Sequence, residues 1–291
     1  MKGPAGPTRR EARAGAAAEL GQAGIESAEL EAERLLAHVL DVERSQLALE
    51  LDVRLTAEQA GALARAVGRR LTREPLQHIE GEAHFRHLRL KCDSRALIPR
   101  PETEQLVDRV VGWLAGRTLD VALDIGTGTG AIAASLVAEG IAARAVATDV
   151  SAEALSLAAE NMERLGLADR VQLRATSGPV WEPIRSGERF GCIVSNPPYV
   201  AEAESPDLPP EVAEFDPPDA LVAGPDGLDV IREIAAGAAS HIDAGGALFL
   251  EIGATQGPSV RRLFDSSPEW RRVLIQRDLA GLDRFARAEP S

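Results

Sequence analysis

Asp124-Ile125-Gly126-Thr127-Gly128-Thr129-Gly130 is the stretch that decides the fold of this chain. It follows Val121-Ala122-Leu123, a short apolar strand. It precedes Ala131-Ile132-Ala133-Ala134-Ser135-Leu136-Val137-Ala138, a run of good helix formers with an apolar face. Glycines lodged between a strand and a helix tolerate unusual φ and let a ligand approach the backbone closely. The spacing is Gly-x-Gly-x-Gly, which departs from the Gly-x-Gly-x-x-Gly of dinucleotide folds. No Lys-Ser or Lys-Thr follows, so this is not a P-loop.

The next strand, Ala145-Val146-Ala147-Thr148, ends in Asp149. A carboxylate in that place can accept both ribose hydroxyls of a nucleoside, or it can cap the following helix. Ser151 reads as the N-cap of a helix running to Leu165. Further on, Cys192-Ile193-Val194 reads as a buried strand followed by Ser195-Asn196-Pro197-Pro198-Tyr199. Taken alone, those residues are also a rigid turn. At the end of a strand they form a tool for holding a flat nitrogen. The Asn196 side-chain oxygen accepts from an NH2 group, the prolines hold the backbone rigid, and Tyr199 can stack on a planar group. Glycine loop, ribose acid and Asn-Pro-Pro-Tyr in this order describe an S-adenosylmethionine-dependent methyltransferase acting on an amino or amide nitrogen.

Strands at 120–125, 144–149, 170–175, 190–195, 247–252, 271–276 and 283–288 interleave with helices at 129–139, 151–165, 228–241 and 256–265. The alternation predicts an α/β fold with a mostly parallel seven-stranded sheet covered on both faces; taken with the three motifs, it resembles a Rossmann-like class I methyltransferase domain. Ligands of such sheets bind beyond the carboxyl ends of the strands. Gly126, Asp149 and Asn196 all stand at such ends, so three motifs converge on one crevice.

Composition agrees with a soluble cytoplasmic enzyme. The chain has 291 residues, 45% of them apolar, and no run approaches transmembrane length. Its start carries no signal-peptide pattern. The net charge of −13 and the 3% aromatic content disfavour a phosphate-tracking or base-stacking surface, so no direct nucleic-acid contact and no membrane contact is expected. Cys192 reads as core packing, the five histidines are scattered, and no metal site is legible. His84 and His87 read as exposed strand residues.

Residues 1 to 15 are polar and read as disordered. From Ala16 to Leu71 the pattern is helical, with Leu30, Leu35, Leu36, Val39 and Leu40 on one helix face. Thr56 caps a second helix, with Leu63, Val67 and Leu71 on its inner face. This predicts a small helical bundle over 1–76 that grips a protein partner. A hairpin linker over 77–97 and the methyltransferase domain over 98–291 follow. The alternation His87-Leu88-Arg89-Leu90-Lys91-Cys92 marks one strand of the hairpin. In Leu97-Ile98-Pro99-Arg100-Pro101-Glu102-Thr103-Glu104, either Thr103 or the Pro-Glu pair starts a helix. The two acids serve that helix start or wall the cofactor pocket.

Over nearly its whole length the chain resembles the release-factor glutamine methyltransferases, the HemK/PrmC family. The resemblance is carried by Arg73-Glu74-Pro75-Leu76-Gln77-His78-Ile79-Glu80-Gly81, by Leu97 to Glu104, by Asp124 to Gly130 and by Asn196 to Tyr199. Phe215-Asp216-Pro217-Pro218-Asp219-Ala220-Leu221 and Gly224-Pro225-Asp226-Gly227-Leu228 add to it. It implies methyl transfer from S-adenosylmethionine to the side-chain amide nitrogen of the glutamine in the Gly-Gly-Gln motif of peptide chain release factors. It implies that Gly126, Thr127, Gly128, Thr129 and Gly130 surround the cofactor's methionine and ribose, and that Asp149 binds the ribose. Asn196, Pro197, Pro198 and Tyr199 would hold the glutamine, with Asn196 also beside the cofactor. A monomer is expected.

The chain departs from the family pattern after the third strand. There Arg174-Ala175-Thr176-Ser177-Gly178 puts Ser177 where an adenine-side acid is usual, and Trp181 and Glu182 are the candidates to replace that contact. His78 stands where an aromatic is usual. The acidic stretch from Glu202 to Asp219 reads as a solvated loop or as a lid over the glutamine. The alternatives are a nucleic-acid adenine or guanine methyltransferase, a ribosomal-protein glutamine methyltransferase, and a cofactor-binding protein without catalysis.

Overall fold

A computed structural model describes residues 6–291. The chain forms two compact units, Met1–Gly81 and Glu82–Ser291. The first contains helices α1 (Arg9–Gln22), α2 (Ala28–Leu40), α3 (Arg44–Leu49), α4 (Ala57–Leu71) and α5 (Leu76–Glu80).

The expectation of disorder up to residue 15 fails from Arg9 onward, where α1 begins. Residues 1–5 lie outside the described residues. Thr8 starts the helix with a capping box: its hydroxyl accepts the Glu11 N–H at 3.2 Å, and the Glu11 carboxylate accepts the Thr8 N–H at 2.7 Å. The backbone N–H groups of Arg9 and Arg10 donate to the carbonyls of Val53 and Leu51. Pairing with residues so far along the chain is invisible to a reading by composition.

Leu20, Leu35, Leu36, Leu47, Leu63 and Val67 are among the residues that form the core of this unit. Leu30 and Leu71, expected inside, are 45% and 37% exposed. The inner stripe of α4 is Leu63, Ala66, Val67 and Arg70, at spacings of three and four residues. Arg70 sits inside because its guanidinium donates to Glu31 at 2.6 Å. Thr56 caps α4 as expected.

The second unit opens with an antiparallel hairpin, β1 (Glu82–Phe85) and β2 (Leu88–Lys91). The hairpin is therefore shorter than the 77–97 span, because Leu76–Glu80 is helical. His84 and His87 are exposed, His84 on β1 and His87 in the turn. Then come α6 (Pro101–Leu114), β3 (Leu119–Ile125), α7 (Ala131–Ala138), β4 (Ala142–Asp149), α8 (Ala152–Leu165), β5 (Val171–Ala175) and β6 (Phe190–Ser195). After these come α9 (Pro210–Ala213), α10 (Asp229–His241), β7 (Ile242–Glu251), α11 (Gly257–Asp265), β8 (Trp270–Arg277) and β9 (Asp283–Pro290). Pro101 occupies the first turn of α6, where its missing N–H costs nothing.

The seven strands lie in the order β5-β4-β3-β6-β7-β9-β8, and only β9 runs antiparallel to its neighbours. Side chains alternate across the sheet with period two. Cys192, Val194, Ala247 and Phe249 face one core with residues of α6 and α7. Leu123, Ile193, Leu248 and Leu250 face the other, with residues of α10 and α11. The first seven residues of α7 are all buried, as a helix apolar all round must be.

The chain runs outward from β3 to β4 and β5, then returns to β6 on the other side of β3. This reversal is the topological switch, where a crevice opens beyond the strand ends. It falls between the glycine loop after β3 and Asn196 after β6. Ile125 pairs with Ser195, and the Ser195 hydroxyl donates to the Ile125 carbonyl at 2.7 Å.

Candidate active site

The crevice is a cavity of about 400 Å³, within the range of small-molecule sites, about 300–1,000 Å³. Gly126, Thr127, Gly128, Thr129, Asp149, Asn196 and Pro198 line it. Gly130, Pro197 and Tyr199 do not. Three motifs far apart in sequence thus meet, but not every residue of each motif faces the space.

The glycine loop needs its glycines. Gly126, Gly128 and Gly130 have φ of 69°, 54° and 82°, which would cost another residue about 1–2 kcal/mol each. Gly130 serves packing as well. A Cβ there would lie 2.7 Å from Met162 Cε and 3.4 Å from Ala158 Cβ, so its place is against α8 rather than the cavity.

Asp124 holds the loop from beneath. One of its carboxylate oxygens accepts the Thr127 hydroxyl at 2.6 Å and the Ala133 N–H at 3.1 Å. Burial pushes its carboxyl up to about 7. Asn161 on α8 bridges the loop and the hairpin. It donates to the Thr129 and Lys91 carbonyls at 2.9 and 3.1 Å and accepts the Lys91 N–H at 2.6 Å.

Asp149 ties the glycine turn to the loop that leads into α8, whose cap is Ser151. Oδ1 accepts the Ser151 N–H and Oδ2 the Gly128 N–H, each at 2.9 Å. Ser151 in turn caps α8. Burial raises the Asp149 carboxyl above its ordinary value. Each oxygen keeps a lone pair for another donor.

Asn196 leaves β6 half-buried, and its Nδ2 donates to Thr103 Oγ1 at 3.1 Å. Among the described residues no donor reaches Asn196 Oδ1 or the Pro197 carbonyl. Thr103 donates to Glu251 Oε2 at 2.8 Å, and the Tyr199 hydroxyl donates to Glu251 Oε1 at 3.2 Å. Glu251, at the end of β7, is buried, and its carboxyl is pushed up to about 7 by desolvation. Burial also raises the Tyr199 phenol. Gln256 donates to the carbonyls of Tyr199 and Gly227 at 2.9 and 3.2 Å. Gly227, at φ 70°, must lack a Cβ, which would stand 2.2 Å from the Tyr199 carbonyl oxygen.

Sequence reasoning missed Thr103 and Glu251 as partners of Asn196. Thr103 read as a helix cap, and Glu251 carried no motif of its own. Glu102 and Glu104 do not line the cavity, which leaves them their role at the helix start.

The stretch after Tyr199 is more than a solvated loop. It holds two short 3-10 turns and α9. Buried Asp216 accepts the Ile98 N–H at 3.3 Å and an Arg100 N–H at 2.5 Å. That anchorage places Pro217, Asp219 and Ala220 on the cavity wall.

At the far end, the expected replacements for the adenine-side acid point elsewhere. Trp181 stacks on His241 at 5.1 Å and donates to the Glu233 carbonyl. Glu182 accepts from Thr176 and Ser177. Thr176, Gly178, Val180, Val230 and Glu233 line that end instead.

Among the described residues there is no gathered set of metal-ligating side chains and no helix long and apolar enough to cross a membrane. Burial pushes the Cys92 and Cys192 thiols up to about 12, so neither is a thiolate at neutral pH.

The donor set fits S-adenosylmethionine. Asp149 brings a carboxylate to the cavity wall, the glycine turn exposes backbone, and Ile98, Val150, Val180 and Val230 add apolar surface.

Comparison with known proteins agrees with this geometry. The family model for the PrmC N-terminal domain matches residues 11–81, and that for the methyltransferase small domain matches 107–209. A release factor glutamine methyltransferase of Cereibacter sphaeroides is 42% identical over 269 residues, 92% of this chain and 94% of that protein. One of Moorella thermoacetica is 40% identical over 277 residues, 95% and 96% of the two chains. Among solved structures, the hMettl16 catalytic domain in complex with a MAT2A 3'UTR hairpin has a TM-score of 0.55 at 15% identity. It covers 68% of this chain and 73% of that one, a likeness of fold alone. With its sheet order, its crevice at the β3–β6 switch and this degree of identity over almost its full length, the chain belongs to the family of release factor glutamine methyltransferases.

Proposed function

We propose that this protein methylates the side-chain amide nitrogen of the glutamine in the Gly-Gly-Gln motif of peptide chain release factors. It would do so as a monomer in the cytoplasm, with S-adenosylmethionine as donor. The observation that carries the reading is Asn196 Oδ1, an acceptor that no donor among the described residues reaches, on a residue that lines the same cavity as the glycine turn; the Pro197 carbonyl is proposed as the second acceptor. Membership of the family supports the choice of substrate.

An amide nitrogen is a poor nucleophile because its lone pair is delocalised into the carbonyl. Two acceptors on its two N–H groups orient the NH2 and raise its electron density. S-adenosylmethionine would be held by the Gly126–Gly128 turn, by Asp149 and by the walls around Val150 and Val180, and would supply a methyl group carried on a sulfonium. Holding the glutamine nitrogen in line with that methyl is the task of Asn196, Pro197 and Pro198. Transfer would leave the donor as a neutral thioether and would release one of the two amide N–H protons to solvent, so positioning lowers the barrier without a strong base. Pro217 and Ala220, which follow the anchored Asp216, form part of the cavity wall.

The test is transfer of radiolabelled methyl to a purified release factor, to its Gln→Ala variant in the Gly-Gly-Gln loop, and to a structured RNA. Label on the first alone is expected. Label on the Gln→Ala variant or on the RNA would overturn the assignment.

A further inference from the structure

We propose that Thr103 and Glu251 decide which end of the Asn196 amide faces the cavity, and so act as positioning residues for amide-nitrogen recognition. This rests on the reading of Asn196 given above and deepens it.

The two ends of a carboxamide are nearly the same shape but opposite in hydrogen bonding. Asn196 serves an NH2 substrate only if its oxygen points at that substrate. Flipped by half a turn, it would set NH2 against NH2. Backbone geometry does not choose between the two, so the neighbours must.

Here the neighbours form a directed chain. Glu251, as a carboxylate, only accepts. Its Oε2 takes the one proton of the Thr103 hydroxyl, at 2.8 Å. Thr103 Oγ1 then has only lone pairs left. The Asn196 group at 3.1 Å must therefore be the NH2 end. Its oxygen is left on the other side, toward the cavity that Asn196 and Thr103 both line. The Tyr199 hydroxyl on Oε1 holds the carboxylate in place. Three elements supply the chain: the first turn of α6, the end of β6 with the residues just after it, and the end of β7. Thr103 and Glu251 are 5% and 1% exposed, so water does not compete for these bonds.

The direction of the chain depends on the charge of Glu251. A protonated Glu251 donates to Thr103, which can then donate to Asn196 and draw Oδ1 away from the substrate. Glu251 faces Thr103 and Glu102 from α6, Tyr199 beyond β6 and Arg284 from β9. Arg284 favours the carboxylate, whereas burial and Glu102 oppose it. Turnover at saturating donor should therefore fall as pH drops through about 7, because the relay then reverses.

Three variants test this. Thr103→Val keeps the shape and removes the hydroxyl; its kcat should fall about 100-fold, on the scale of losing one oriented dipole, with donor Kd changed less than about 3-fold. Thr103→Ser restores the hydroxyl and should recover kcat to within about 5-fold. Glu251→Gln should lower kcat about 10-fold and abolish the acid limb.

A readout independent of substrate is the side-chain amide signal of Asn196 in a 15N-Asn-labelled protein, assigned by its loss in Asn196→Asp. It should shift in Thr103→Val and on acidification, and it should not respond to acid in Glu251→Gln. An unmoved amide signal in Thr103→Val would sink the relay, as would equal activity loss in the Val and Ser variants or an unchanged acid limb in Glu251→Gln. If the amide signals respond as expected but no release factor is methylated, the relay stands and the substrate assignment is what fails.

Discussion

Replacing Asp149 by alanine removes both carboxylate oxygens, one against the glycine turn and one against the Ser151 N–H. Each already accepts one backbone N–H at 2.9 Å, from Gly128 and from Ser151, and in the proposed binding mode each would also accept one ribose hydroxyl. A hydrogen bond to a charged group contributes about 1.5–3 kcal/mol. Two give about 3–6 kcal/mol, and water filling the vacated space brings the loss toward the lower figure. At 1.4 kcal/mol per decade, the S-adenosylmethionine Kd should rise about 100- to 1,000-fold. Asp149→Asn should fall between, because its NH2 end must face one of the two backbone donors. Titration calorimetry measures the affinity, and a melting curve checks that each variant is folded. Burial raises the Asp149 carboxyl, and hydroxyl donors bind its ionised form. Wild-type affinity should therefore weaken as pH falls through that raised pKa, while the alanine variant stays flat over the same window. A Kd within about 3-fold of wild type in Asp149→Ala would refute the ribose reading, since even one such bond exceeds that change.

Asn196→Ala should lower kcat more than about 100-fold in a methyl-transfer assay, while donor affinity measured separately changes far less; equal losses would contradict the division of labour. Gly130→Ala faces a φ of 82° and a Cβ 2.7 Å from the flexible end of Met162. It should cost about 1–2 kcal/mol and lower the melting temperature by roughly 2–8 °C. Asp216→Asn weakens the hold on Arg100, and limited proteolysis within 202–214 should accelerate. Glu251 rises from 4.5 to about 7 on folding, so between those values the folded state keeps a proton that the unfolded state has lost. Stability should decline by about 3 kcal/mol as pH rises through that window, and urea titrations of Glu251→Gln should show a shallower decline.

The sequence alone was enough for the order of the strands and long helices in the second unit, because strand and helix periods differ and glycine loops punctuate them. Ser151, Thr56 and Pro101 fell where capping chemistry puts them. It also placed Gly126, Asp149 and Asn196 at strand ends, which in a parallel sheet is enough to bring them to one edge.

Other features depend on contacts between distant residues. The pairing of the Arg9 and Arg10 N–H groups with the carbonyls of Val53 and Leu51 defeated a reading by composition at the start of α1. Leu30 and Leu71 lie outside because helix phase, not hydrophobicity, chooses the inner stripe. Trp181 and Glu182 turn from the cavity because nearer partners claim them. The dependence is clearest at Asn196. Its place follows from the motif, but which atom of its amide faces the cavity follows from Thr103 and Glu251, 93 and 55 residues away in the chain. A proton's direction along a hydrogen-bond chain is a property of neighbours in space, and no local pattern of residues encodes it.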